Sequence, residues 1–215
     1  MIRKSSIIGI SLFSLLLRIN PGIAQNLSVA PNVGIPKAFG DGSAFSTVGF
    51  TVGTNLFYSL SNNISVGGRI AFNRLFPDGE RLLGLFQPSS DFSVESTSGG
   101  YSIFEIVPSI QIATSRRDVS RNANIAFQVG AGLYLYKVDT SAEGRISPRE
   151  TFGTGVRSRW KTKPGVQLGL ALGIKRRLQI QPLFNFIFNE SANEGFFKGT
   201  ITKYFSLNVG FLLGH

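Results

Sequence analysis

The chain has 215 residues, of which 42% are hydrophobic and only 16% are charged, and its formal net charge is +10. With 25 glycines and this low charge content, the composition argues against a disordered polymer. The absence of cysteine excludes disulfides, thiolate metal sites and thiol nucleophiles, and the single histidine, His215, leaves little for histidine-based catalysis. We therefore predict no catalytic residue, no metal site and no cofactor.

The N-terminal segment has the composition of an export signal. Arg3 and Lys4 form a basic start, an apolar run follows over 7–17, and small residues end at Ala24. The apolar run is shorter than the roughly 20 residues that a membrane-spanning helix needs, which disfavours the alternative of a short membrane anchor. We predict a signal peptide over 1–24 and one exported domain over 25–215.

From Leu27 onward, apolar residues recur at every second position, which is the period of a β-strand. Eight such segments predict eight strands, at about 26–36, 44–60, 63–76, 100–114, 122–138, 160–175, 177–189 and 198–213. Pro108 and Pro182 fall inside two of them. Because proline removes a donor from the hydrogen-bond ladder, we expect a bulge or a local break at each.

The connections between these strands alternate in length. Those at 77–99 and 139–159 are long, whereas those at 61–63 and 175–177 are tight turns. In an up-and-down meander, every longer connection then lies at one end and every tight turn at the other. Transmembrane β-barrels have this asymmetry, and several predicted strands have the 9 to 11 residues that a tilted strand needs to cross a bilayer.

Alternation alone does not say which row of side chains faces outward. A soluble lipocalin-like carrier is also eight-stranded, with its apolar row inside. The polar row separates the two possibilities: at alternate positions of 47–55, 65–73, 124–132 and 165–173, eight of 20 residues are glycine and only Arg69 is charged. A water-facing surface would carry many lysines and glutamates. We therefore predict an all-β, eight-stranded antiparallel up-and-down transmembrane barrel with its apolar row toward lipid.

Three segments carry a resemblance to a known group. They are 125–138 (IAFQVGAGLYLYKV), 166–174 (VQLGLALGI) and the closing strand 204–213 (YFSLNVGFLL). With the signal and the eight alternating strands, they resemble the small outer-membrane β-barrel proteins of the OmpA-transmembrane-like and OmpW-like group of Gram-negative bacteria. Barrels of that group usually end on an aromatic residue, whereas this sequence ends on His215. The resemblance implies insertion by the barrel assembly machinery and roles that range from structural to adhesive to small-solute passage.

Two charged residues fall in the predicted inward row, on consecutive strands. If Phe76 lies opposite Gly100, Arg69 lies near Val107, and Glu105 is its diagonal neighbour. We expect Arg69 and Glu105 to pair and to plug the lumen, because a half-made charge pair in a narrow barrel is costly. Three inward glutamines are expected to help: Gln111, Gln128 and Gln167. The alternative is that each charge is hydrated separately in a wet lumen.

Basic residues are divided between the two ends of the predicted barrel. At the long-loop end, Arg157, Arg159, Lys161 and Lys163 flank Trp160, a combination suited to lipopolysaccharide phosphates with the indole at the membrane interface. The alternative is a generic solvated rim that anchors the barrel. Because the basic residues are split between two ends of an exported chain, we predict no nucleic-acid binding.

Four functions remain compatible with the sequence. The prediction is an integral outer-membrane protein without enzymatic activity, which acts in envelope structure or surface interaction and contacts outer-membrane lipid, lipopolysaccharide and other surface proteins. The alternatives are a narrow channel for small or apolar solutes, a barrel enzyme acting on lipid, and a soluble carrier.

Overall fold

The computed structural model describes residues 26–39, 46–84, 93–114, 123–147, 150–174, 177–188 and 201–213. The predicted signal peptide, 1–24, and the terminal His215 lie outside them. Within these ranges the chain forms nine strands and one short helix. They are β1 (Leu27–Phe39), β2 (Ser46–Ser59), β3 (Ile64–Pro77), α1 (Gly79–Gly84), β4 (Ser93–Ala113), β5 (Ala123–Ser147), β6 (Glu150–Arg157), β7 (Lys161–Ile174), β8 (Leu178–Phe188) and β9 (Ile201–Phe211).

Eight of the strands form a closed ring. The hydrogen-bonded order is β4, β3, β2, β1, β9, β8, β7 and β5, and β5 pairs again with β4. Every pairing in the ring is antiparallel. The prediction of an eight-stranded antiparallel up-and-down barrel is therefore confirmed. Among the described strands, β6 pairs only with β5 and lies outside the ring.

The two faces of the ring have opposite character. Outward apolar side chains are exposed, such as Val33 at 61%, Phe127 at 54% and Ile112 at 53%, whereas inward Gln167 and Asn185 are fully buried. A carrier barrel has the reverse arrangement, with apolar side chains inside and polar ones in water. An apolar exterior around a polar interior is the arrangement of a membrane-spanning barrel.

No helix in the described residues combines the length and the apolar character that are needed to cross a bilayer.

The long connections differ from the prediction, because β-structure occupies much of their length. β4 begins at Ser93 and β5 ends at Ser147, and the two continue to pair beyond the predicted spans. β6 then adds a third strand. We call this three-stranded extension, formed by 93–100, 139–147 and β6, the platform. The predictions of loops over 77–99 and 139–159 are wrong to this extent, because small and hydroxyl residues there continue the ladder without apolar alternation.

A glycine pair marks the junction between the barrel and the platform. Gly99 and Gly100 have φ values of +85° and +138°, which disfavour residues with a β-carbon. A β-carbon on Gly99 would also lie 1.7 Å from the carbonyl oxygen of Asp139. Beyond the junction, α1 contacts β4 and β5, and its Leu83 is completely buried.

The two strand prolines interrupt the ladder without a bulge. The β4–β5 pairing omits Pro108 and the β7–β8 pairing omits Pro182, yet the register is the same on both sides of each gap. The expected local break is therefore present and the expected bulge is absent. Register shifts occur instead between Ser46 and Gly49 and in the platform. Both lie at the end of the barrel that carries the longer connections, which we call the loop end; the opposite end, with the tight turn 61–63, is the turn end.

Candidate functional site

The charged residues of the inward row meet in the middle of the lumen. The register places Arg69 opposite Val107 and Ala71 opposite Glu105, so Arg69 and Glu105 are diagonal neighbours on β3 and β4. The Nε of Arg69 lies 2.5 Å from Oε1 of Glu105, and both residues are only 1% exposed. The structure thus brings the two together as a buried ion pair.

The other two nitrogens of the Arg69 guanidinium donate to three asparagines. Its Nη1 lies 2.9 Å from Oδ1 of Asn32 and 3.4 Å from Oδ1 of Asn55, and its Nη2 lies 3.0 Å from Oδ1 of Asn208. These asparagines lie on β1, β2 and β9. A buried cation is costly unless its donors are satisfied. Here the three asparagines and Glu105 on β4 provide acceptors from four strands around one guanidinium.

The Glu105 carboxylate is satisfied through both oxygens. While Oε1 accepts from Arg69, Oε2 accepts a hydrogen bond from the hydroxyl of Tyr204. That hydroxyl accepts in turn from Nδ2 of Asn73, at 3.4 Å, and Oδ1 of Asn73 accepts from Thr51 at 2.6 Å. The charge pair is therefore continued by hydrogen bonds to β9, β3 and β2.

The predicted glutamines form a second layer, closer to the turn end. Nε2 of Gln111 lies 3.1 Å from Oε1 of Gln128, and Nε2 of Gln128 lies 3.0 Å from Oε1 of Gln167. Gln167 donates to Oδ1 of Asn185 at 2.8 Å, and that oxygen also accepts from the Tyr134 hydroxyl at 3.2 Å. The chain of amides crosses from β4 to β8.

Gln181 joins this layer to the charge pair. Its Oε1 accepts from Nδ2 of Asn55 at 2.5 Å, and its Nε2 lies 3.5 Å from Oε1 of Gln128. One connected set of buried side chains, which we call the lumen network, thus draws on all eight ring strands. Its members are Asn32, Thr51, Asn55, Arg69, Asn73, Glu105, Gln111, Gln128, Tyr134, Gln167, Gln181, Asn185, Tyr204 and Asn208, and each is at most 4% exposed.

Apolar side chains fill the lumen on both sides of the network. At the turn end, Ala113, Ala126 and Ala171 form a small buried cluster. At the loop end a cavity of about 20 Å³, room for about one water, is lined mainly by apolar and aromatic side chains. Its lining includes Leu75, Tyr101, Ile103, Tyr136 and Ile187. Buried side chains therefore lie on both sides of the network in the described lumen, with this small cavity between them at the loop end.

The predicted lipopolysaccharide-facing residues separate into two groups. The Arg157 side chain is 80% exposed, Trp160 is 52% exposed, Arg159 is exposed and Lys161 is half-buried. Lys163 does not belong with them, because it is only 4% exposed. It has the same strand parity as the inward Gln167 and lies opposite Tyr134, so its side chain is in the lumen and not on the rim.

Several members of the lumen network were not selected from the sequence. Asn208 and Tyr204 on β9 and Gln181 on β8 have the same inward parity that identified the three glutamines. That parity could have found them. No sequence signal showed that their side chains reach across the lumen to the strands that carry Arg69 and Glu105.

Among the described residues, no group of three or more His, Cys, Asp or Glu side chains could hold a metal ion. No protein-family model matches the chain, and no curated protein sequence matches it.

The chain is similar to solved structures at low sequence identity. Ail, the attachment invasion locus protein of Yersinia pestis, is 11% identical over 86% of this chain and 98% of that chain, with a TM-score of 0.43. Neisserial surface protein A is 13% identical over 88% and 97%, with a TM-score of 0.45. A major outer membrane protein from Thermus thermophilus is 11% identical over 87% and 99%, with a TM-score of 0.47.

Proposed function

We propose that the chain is an integral outer-membrane protein without enzymatic activity, whose closed barrel anchors the platform at the cell surface. The observation that carries the proposal is the lumen network, because it links all eight ring strands across the interior through side chains that are at most 4% exposed. A barrel closed in this way is a rigid support. The platform, which extends beyond the barrel, is then held in place to meet other surface proteins.

Membrane insertion is supported by the exterior of the ring. Its outward row consists largely of exposed aliphatic and phenylalanine side chains on every ring strand, which water would disfavour and lipid accepts. The ring also leaves no open sheet edge, so every strand can satisfy its backbone polar groups within the bilayer. Insertion by the barrel assembly machinery is part of this proposal.

A channel is the alternative that the lumen disfavours. Passage of an ion or solute would require the Arg69–Glu105 pair and its asparagine partners to separate, which would leave a charge buried without a partner. The contacts therefore favour an anchoring role for the barrel over a transport role.

The platform offers a polar surface for interaction. Ser96, Ser98, Ser141 and Glu143 are exposed along two of its strands, and the hydroxyls of Ser98 and Ser141 lie 2.7 Å apart. Gly153 on β6 pairs with Glu143 on β5 and adds no side chain to this surface. Hydroxyls and small residues on a supported sheet suit hydrogen bonding to a surface protein, while Arg157, Arg159, Trp160 and Lys161 at its base suit lipopolysaccharide phosphates.

Single-cysteine labelling tests location and orientation together, because the chain has no cysteine of its own. We expect Ser141→Cys, on the platform, to react with a membrane-impermeant maleimide on intact cells. We expect Asn62→Cys, in the turn between β2 and β3, to react only after the outer membrane is opened. The reverse pattern would show that the orientation is wrong. Recovery of the mature chain in the soluble periplasmic fraction would overturn membrane insertion itself.

A further inference from the structure

Two lysines lie side by side in the outward row near the loop end of the barrel. Lys37 on β1 is opposite Phe205 on β9, and Phe39 on β1 is opposite Lys203. Lys37 and Lys203 are therefore diagonal neighbours across one strand pair, a relation that separates residues by about 7–8 Å. Lys37 is exposed and Lys203 is half-buried.

Within the described part of the chain, these two charges have no acidic partner. Neither lysine forms an ion pair with any residue that the structure describes. Their other cross-strand neighbours are apolar, Val48 opposite Lys37 and Phe186 opposite Lys203. Lys137, an outward lysine on β5, differs because its Nζ lies 3.1 Å from Oδ2 of Asp139.

Aromatic side chains surround the lysine pair on the same wall. The rings of Phe39 and Phe184 meet edge to face with centroids 6.0 Å apart, and those of Phe39 and Phe186 do so at 6.3 Å. Phe184 and Phe205 lie 5.0 Å apart. The rings continue into the apolar exterior through Leu207, which is 43% exposed. Two cations thus stand beside an exposed surface able to contact hydrocarbon.

We propose that this wall binds one molecule of lipopolysaccharide through its lipid A. Lys37 and Lys203 hold a lipid A phosphate, and the four phenylalanines contact its acyl chains. Two adjacent cations next to an apolar surface match a lipid that carries phosphate on its sugar backbone and several chains below it. The inference rests on the proposed function, because it requires the loop end to lie at the outer leaflet. It is separate from the basic residues near Trp160, since β8 lies between β7 and β9.

Native mass spectrometry of the full chain in detergent tests the proposal, with bisphosphorylated lipid A titrated against the wild type and variants. We expect K37Q/K203Q to bind lipid A about 10- to 30-fold more weakly, since a lysine near an anionic lipid surface contributes a factor of about five. The matched control, K137Q, removes a paired lysine from the same end of the barrel. Its affinity should stay within about twofold of wild type.

Three outcomes separate the possibilities. Equal affinity of the wild type and K37Q/K203Q overturns the site. Equal affinity of the wild type for phosphatidylglycerol and lipid A overturns the assignment to lipopolysaccharide. Heat-modifiable migration on gels, measured for every variant, verifies that each barrel is closed. The variant F184A/F205A tests the contact with the acyl chains separately from the contact with the phosphate. Failure of the wild type to enter the outer membrane would instead refute the proposed function.

Discussion

Two Arg–Glu pairs of similar length lie in opposite surroundings. In the lumen, Arg69 and Glu105 are 2.5 Å apart with side chains at most 1% exposed. On the platform, Arg145 and Glu95 are 2.7 Å apart with side chains 46% and 37% exposed. The first pair is held by a network from all eight ring strands, whereas the second connects only β5 and β4.

Distance alone does not set the role of an ion pair. In water the attraction between two charges is largely screened, and holding two long side chains together costs entropy. In the lumen the attraction is stronger, but each charge depends completely on its partners. The barrel should therefore respond strongly to the loss of one inner charge, and the platform weakly to the loss of one outer charge.

Glu105→Ala should have the largest effect, because it leaves the Arg69 guanidinium buried without its counter-ion. We expect a loss of about 3–5 kcal/mol in the free energy of unfolding, measured by urea titration in lipid vesicles. Arg69→Ala should cost a similar amount, and the double variant less than the sum of the two. Additive losses would show that the residues do not interact.

Glu95→Ala is the matched control on the platform. Because the Arg145 side chain is already half exposed, it can be hydrated when its partner is removed, and we expect a loss of about 0–1 kcal/mol in the same titration. A loss as large as that of Glu105→Ala would mean that the platform, and not the lumen, controls the stability of the fold.

The smallest expected effect concerns Asp139, at the base of the platform. The hydrogen bond that Lys137 donates is the largest cause that lowers the pKa of Asp139 below its ordinary value of 3.8. Attraction to the charges of Lys137 and Arg157 lowers the pKa further. A carboxyl whose pKa is lower in the folded state stabilises the folded protein at pH values above its unfolded-state pKa. That stabilisation is lost as the pH falls through the folded-state pKa. K137Q should raise the pKa of Asp139 toward 3.8, measured by carboxyl carbon NMR titration. R159Q serves as the control and should leave it unchanged.

The barrel itself could be predicted from the sequence because period-two alternation is a direct consequence of strand geometry. The same parity placed Arg69 and Glu105 in one row, and the pairing of consecutive antiparallel strands placed them diagonally. Lys163 was misassigned because it was grouped with its charged neighbours in sequence. Its parity with Gln167 already indicated the lumen.

The platform could not be predicted, since its strands lack the apolar alternation that a bilayer imposes. Its inner positions are filled by small residues such as Thr140 and Ala142, against a sheet face that α1 approaches. The reach of Tyr204 and Asn208 across the lumen depends on ring closure between β9 and β1. That pairing joins the first and the last of the described strands in sequence and is set by the whole barrel, not by any local pattern.

Single-molecule conductance in a planar bilayer tests most directly whether the lumen network closes the barrel. The wild type should insert without ion-conducting steps, whereas R69A/E105A, which removes the central ion pair, should produce small steps as water enters the lumen. Heat-modifiable migration of both proteins verifies that each barrel is intact before it is measured. Steps of equal size from the wild type and R69A/E105A would show that the lumen is open despite the network.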